Sequence, residues 1–189
     1  MSIHEFDLAE HVYDARDGVG TADHGQDIAS QISGWLDENE RSLPQEAQYL
    51  ALGAGRARPE LAFAEHLGLV DTQVTVLDRY FSPTVAIYFS QERPNITRIQ
   101  RGIFTFLGSP SRSGFSLVTA FAMEYVFCDP QKLEMLVKSL PKILIPGSFV
   151  SVYPYLGIDQ DALWKENGFD VIEGYRGIYS SLLYWYASS

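Results

Sequence analysis

The stretch Tyr49-Leu50-Ala51-Leu52-Gly53-Ala54-Gly55-Arg56-Ala57-Arg58-Pro59-Glu60 sets the narrowest limits on what this chain can fold into. An apolar strand runs into a glycine-bearing turn and then into a helix start, where Pro59 is tolerated in the first turn. Further on, Val74-Thr75-Val76-Leu77-Asp78 reads as a second apolar strand that ends in a carboxylate. A glycine turn at a helix N-terminus lets a ligand lie against the backbone. A carboxylate at the tip of the next parallel strand accepts hydrogen bonds from ribose hydroxyls. Together the two segments point to a nucleoside-bearing ligand.

The rest of the chain alternates in the same way. Ile28, Ile32, Trp35 and Leu36 recur with helical spacing after His24-Gly25-Gln26-Asp27. Tyr49 to Leu52 is a strand, Pro59 to Leu67 a helix stopped by Gly68, and Val74 to Leu77 a strand. Ser82-Pro83 caps a helix over Thr84 to Ser90. Asn95 to Ile99, extending toward Phe106, reads as a third strand with imperfect alternation. Gly114 to Phe121 is apolar enough for a strand buried on both faces. Asp129-Pro130 caps a helix carrying Leu133, Leu136, Val137 and Leu140 on one side. Pro141 to Pro146 leads to a fifth strand, Gly147 to Tyr153, and a short helix from Asp159 or Gln160 ends at Gly168. Phe169 to Tyr175 and Tyr179 to Tyr186 form a closing hairpin through Arg176-Gly177-Ile178. Alternation implies parallel strands, right-handed crossovers and helices on both faces. The expected fold is a three-layer α/β/α sandwich around a mostly parallel seven-stranded sheet, with the hairpin supplying one antiparallel edge strand. Residues 1–24 form a polar N-terminal segment suited to a lid, and 25–189 a single domain.

Several function classes fall away. With 14 basic against 24 acidic residues, the net charge of −10 disfavours phosphate-driven binding of nucleic acid and docking on anionic membranes. No segment has the length and apolarity of a membrane span, and no secretory signal opens the chain, so a cytoplasmic setting is the simplest inference. The single cysteine, Cys128, precludes an internal disulfide and a multi-cysteine metal site, and its apolar neighbours suit a buried thiol. No metal ligand set, G-x-S-x-G elbow or Walker A lysine motif is present. The late aromatic cluster, from Phe121 to Tyr186, suits core and sheet filling.

The turn itself discriminates between nucleotides. A dinucleotide turn reads G-x-G-x-x-G/A, and its third small residue permits close helix–strand packing. Here that position is Arg58, and the small residue sits one earlier, at Ala57. This G-x-G-x-A spacing, Asp78 and the terminal hairpin together resemble the class I, Rossmann-like S-adenosylmethionine-dependent methyltransferases. The resemblance runs from about residue 30 to the end of the chain. It includes Phe115-Ser116-Leu117-Val118-Thr119-Ala120-Phe121 and the stretch from Leu136 to Ser148.

The resemblance implies S-adenosylmethionine as cofactor and a methyltransferase activity. Gly53, Ala54 and Gly55 would hold its methionine portion, Asp78 its ribose hydroxyls, and Arg79 and Tyr80 would lie beside the adenosine. Gly102 and Ile103 would flank the adenine, and Ala120 and Phe121 would border the reacting methyl group. The chain departs from the family pattern at Ala51 and near Gly102, where acidic residues are common, and at Ser116, where Asp is frequent. Arg56 or Arg58 either pairs with a ligand carboxylate or belongs to a solvated loop, with Glu60 as a surface partner.

Methyl transfer needs alignment and sometimes a base. The candidate catalytic residues are Glu124, Tyr13 and His11, followed by His24, Tyr125, Tyr153 and Tyr155. With 189 residues, little chain remains for a recognition insertion, so a small-molecule acceptor is favoured. Residues 1 to 24, Gly108 to Gly114 and Tyr153 to Asp159 would surround it, and a homodimer in which a partner subunit completes the site stays open. Two rivals stand beside this reading: a non-catalytic or non-methylating protein of the same fold, and a nicotinamide dehydrogenase, which Arg58 disfavours.

Overall fold

The computed structural model describes residues 22–55, 57–121, 123–127, 129–152, 160–172 and 182–187, with the side chains of 124, 125, 182 and 183 left aside. A seven-stranded sheet has the order β3-β2-β1-β4-β5-β7-β6. Its strands are β1 (Tyr49–Leu52), β2 (Val74–Asp78), β3 (Thr97–Gln100), β4 (Phe115–Ala120), β5 (Leu144–Val152), β6 (Phe169–Val171) and β7 (Leu182–Tyr186). The first five pair in parallel, and β7 runs antiparallel to both β5 and β6. The antiparallel strand is therefore interior, and β6 rather than β7 forms the edge. An edge position for β7 would leave the aromatic side chains of Tyr184 and Trp185 without cover on one side. The segment joining β6 to β7 lies outside the described residues.

The helices are α1 (Ala22–Glu38), α2 (Arg58–His66), α3 (Pro83–Gln91), α4 (Ile103–Gly108), α5 (Glu124–Phe127), α6 (Pro130–Ser139) and α7 (Asp161–Glu166). Side-chain alternation along β1 assigns them to two layers. Tyr49 and Ala51 face a core built with Ile28, Ile32, Phe63 and Phe89 from α1, α2 and α3. Leu50 and Leu52 face the other core, with Phe106, Leu136 and Trp164 from α4, α6 and α7. Trp164 stacks on Tyr184 at 4.0 Å between ring centres, which anchors α7 to the antiparallel strand. None of the helices is long and apolar enough to cross a membrane among the described residues.

Local chemistry explains most boundaries. Ser82 accepts a hydrogen bond from the Val85 N–H, and Asp129 accepts from Gln131 and Lys132, so both caps hold as expected. The third strand is shorter than its sequence suggests. The Gly102 carbonyl accepts from the Phe106 N–H, and Ile103, Phe106 and Leu107 are buried at helical spacing, so the segment toward Phe106 is helix α4 instead of strand. The fifth strand begins earlier than Gly147. Pro146 and Gly147 fall inside β5, where the register shifts between the pairs Phe115–Leu144 and Leu117–Phe149. That bulge leaves Phe115 on the same side of the sheet as Val118 and Ala120.

Helix α1 also starts earlier, with His24 and Gly25 inside it. Gly25 is the point of closest approach to α2. A Cβ there would sit 1.8 Å from the Pro59 carbonyl oxygen and 3.0 Å from the Phe63 nitrogen. Both obstacles are backbone, so neither can move aside as a side-chain tip could. Gly25→Ala should therefore destabilise the protein by about 2 kcal/mol or more through overpacking. Thermal unfolding checks this; an unchanged midpoint would show that the two helices do not cross here.

Candidate functional site

In a parallel sheet, ligands bind at the carboxyl ends of the strands where the strand order reverses. Here the reversal lies at β1, which has β2 on one side and β4 on the other. The registers bring Leu52 level with Leu77, and Ala51 level with Thr119, so the turn after β1 lies between the tips of β2 and β4.

That turn is tied to β2. The Gly53 and Ala54 N–H groups both donate to the Leu77 carbonyl, at 2.8 and 3.2 Å. The Gly55 N–H donates to Asp78 Oδ2 at 2.9 Å, and Asp78 Oδ1 accepts from the Tyr80 N–H at 2.9 Å. Gly53, Gly55 and Ala57 all have left-handed backbone, with φ of 68°, 50° and 57°. Glycine adopts this conformation freely, whereas at Ala57 it costs about 1 kcal/mol. Ala57 is wholly buried, and its N–H donates to the Ala54 carbonyl. A larger side chain would find no room there, which accounts for the small residue at this place.

Asp78 is half-buried. Burial raises its carboxyl above the ordinary range, against the opposing effect of backbone N–H groups from Tyr80, Gly55 and Arg79. Its two oxygens have about four acceptor sites in all, so ribose hydroxyls can bind beside the backbone donors. Arg79 is exposed and Tyr80 half-buried at the same tip.

The floor above Gly53 is apolar. A Cβ on Gly53 would meet Met123 Cγ at 3.1 Å, Met123 Sδ at 3.2 Å and Ile103 Cδ1 at 3.8 Å. Ile103, with Gly102 as its helix cap, thus stands beside the turn, and Met123 joins it. Met123 could have been found from its place three residues beyond the tip of β4. Gly55 differs: among the described residues, nothing lies within 4 Å of a Cβ built there.

At the tip of β4, Ala120 and Phe121 point into opposite cores. The Phe121 ring is buried edge-on against His24, with ring centres 4.8 Å apart. Burial lowers the His24 imidazole to about 4, despite the neighbouring Asp27 charge, so it is neutral at pH 7. Ser116 lies at the start of β4, at the end of the strand remote from the turn.

The sequence singled out Glu60 only as a surface partner for an arginine, and here the structure differs. Glu60 is 2% exposed in the first turn of α2, while Arg58 is exposed to solvent. Glu60 follows the turn directly, in the first turn of α2 and just past the buried Ala57. Its charge is felt at Tyr49, and the Asp78 charge is felt at Glu60. Burial, with the Asp78 charge adding to it, pushes its carboxyl up to about 8, although its own backbone N–H partly offsets the rise. His11, Tyr13, Arg56, Cys128, Tyr153 and Tyr155 lie outside the described residues. Glu124 opens the short helix α5 next to Met123, and its side chain and that of Tyr125 are likewise outside them.

No protein-family model matches the chain, and no curated protein does. Solved structures do. CalS10, an amino pentose methyltransferase from Micromonospora echinaspora solved with S-adenosylmethionine bound, superposes with a TM-score of 0.67 at 13% identity, over 95% of this chain and 97% of its own. The 1,6-didemethyltoxoflavin-N1-methyltransferase of Burkholderia thailandensis, with its substrate and S-adenosylhomocysteine bound, gives 0.65 at 14% identity, over 100% of this chain and 92% of its own. The CcbJ methyltransferase of Streptomyces caelestis gives 0.65 at 14% identity, over 94% and 96%. From the strand order, the turn after β1 and these superpositions, the chain has the fold of the class I S-adenosylmethionine-dependent methyltransferases.

Proposed function

We propose that this protein is an S-adenosylmethionine-dependent methyltransferase acting on a small-molecule acceptor. The observation that carries the reading is the Gly53–Gly55 turn bound to the Asp78 carboxylate at the reversal of strand order. The residues present fit the cofactor. A Cβ on Gly55 would meet nothing within 4 Å among the described residues, and Ile103 and Met123 offer an apolar wall for the adenine. The N–H groups of Gly53, Ala54, Gly55 and Ala57 are all donated within the protein, so none of them remains to cradle a pyrophosphate. This argues against the dinucleotide reading more strongly than Arg58 alone.

Gly53, Ala54 and Gly55 would hold the methionine portion, Asp78 with Arg79 and Tyr80 the ribosyl side, and Gly102 and Ile103 the adenine. The backbone at Ala120 and Phe121 would border the transferred group. The chemistry such a cofactor supplies is an electrophilic methyl on a sulfonium: an acceptor lone pair takes the methyl carbon, the C–S pair stays on sulfur as S-adenosylhomocysteine, and the acceptor loses a proton. For the protein that leaves alignment and exclusion of water. Residues 1–24 as a lid and Glu124, Tyr13 and His11 as proton acceptors belong to this proposal. The neighbours CalS10 and the toxoflavin-pathway enzyme, named for small-molecule substrates, support the acceptor class.

Ala51 and Gly102, which lack the acidic groups common in the family, favour a second reading, a protein of this fold that binds without transferring. Ser116 no longer bears on the choice, being remote from the turn.

Calorimetry with S-adenosylhomocysteine should give a saturable isotherm, and Asp78→Ala should weaken it tenfold or more, since a charge-assisted hydrogen bond is worth about 1.5–3 kcal/mol. Absence of heat at millimolar ligand would remove the proposal. Binding without methyl transfer to any acceptor in a small-molecule extract would favour the second reading.

A further inference from the structure

Two carboxylates, Asp78 at the end of β2 and Glu60 in the first turn of α2, lie within electrostatic reach of each other. Neither takes part in an ion pair among the described residues. Asp78 has its backbone donors. Glu60 Oε2 has no hydrogen-bond partner among the described residues. A buried carboxyl left this way is costly unless something arrives to satisfy it. The Gly53, Ala54, Gly55 and Ala57 N–H groups are all donated within the protein, so none of these favours an anion.

Resting on the methyltransferase reading above, we propose that Glu60 is the counter-charge for the ammonium group of the bound cofactor's amino-acid moiety, and that it gives up a proton when that group binds. Without ligand the carboxyl is held mostly protonated at pH 7, because burial and the Asp78 charge both oppose its ionisation. An ammonium brought alongside reverses the balance and draws the proton off to solvent. Binding is then coupled to proton release, and affinity rises with pH up to about 8.

Other titratable groups lie on the neighbouring elements. Tyr49 on β1 is pushed well above its usual value by burial. Asp78 on β2 is raised by burial, against three backbone donors that lower it. On α1, His24 is held down to about 4 by burial, and Asp27 is the charge nearest to it. Arg58, on α2 itself, is exposed and permanently cationic.

The folded state alone carries a signature of the same group. An acid whose pKa is raised on folding keeps its proton in the native state between about 4.5 and 8, where the unfolded chain has lost it. Its contribution to stability is therefore intact below 4.5 and falls away as pH rises toward 8. Glu60→Gln, neutral and of the same shape, should remove this fall, so the variant should gain on the wild type in melting temperature as pH increases. Equal pH slopes would show that Glu60 is not protonated in the native protein.

The decisive experiment is calorimetry of S-adenosylhomocysteine in phosphate and in Tris, whose ionisation enthalpies differ, at pH 6.5 and 8. Proton release approaching one per site is expected at pH 6.5 and less at pH 8, with affinity rising severalfold to tenfold between them. Methylthioadenosine, which lacks the amino-acid moiety, should bind without release. Glu60→Gln should release no proton with either ligand and lose the pH dependence. If S-adenosylhomocysteine binds but its heats are buffer-independent, or if the variant still releases a proton, the role of Glu60 is refuted while the methyltransferase reading stands. If neither ligand binds, both fall.

Discussion

The Asp78 carboxylate connects the parts of this site. Through Oδ2 it holds the Gly55 N–H, and through Oδ1 the Tyr80 N–H. One side chain at the end of β2 thereby fixes the turn after β1 and the first residues after its own strand. Without that bridge the left-handed glycines would have wide conformational freedom, and the first turn of α2 would lose its orientation over the sheet. Hydrogen bonds to a carboxylate are strong ones, and this one is half-buried, which makes it an effective organiser. It also leaves acceptor capacity facing outward.

The two layers meet at the same place. Leu52 and Ala120 belong to one core, Ala51 and Phe121 to the other, and their strand tips converge on the turn. The close contact of Gly25 with Pro59 brings α1 against the start of α2, so three elements (α1, α2 and β4) bear on the ground beneath Gly55. The tight packing explains how a carboxyl such as Glu60 can be shut away from water.

Much of this was legible in the sequence because the signals are local. Pro59, Ser82-Pro83 and Asp129-Pro130 mark helix starts through cap chemistry that involves a few adjacent residues. The turn and the strand ending at Asp78 were recognisable for the same reason. What escaped depends on contacts distant in sequence. Glu60 is buried once the chain folds, whereas its nearest charged neighbours in sequence are Arg56 and Arg58. The interior place of β7 is a matter of pairing partners, which periodicity does not encode. The short helix at Ile103 was obscured because a brief apolar run fits either period. Met123 reaches Gly53 only because β4 ends beside β1.

A crystal structure with S-adenosylhomocysteine tests the central claim most directly. The account predicts ribose hydroxyls within hydrogen-bond distance of Asp78, the adenine against Ile103, and the amino-acid moiety over the Gly53–Gly55 turn. A ligand lodged elsewhere on the sheet, with Asp78 engaged only by its backbone donors, would contradict it.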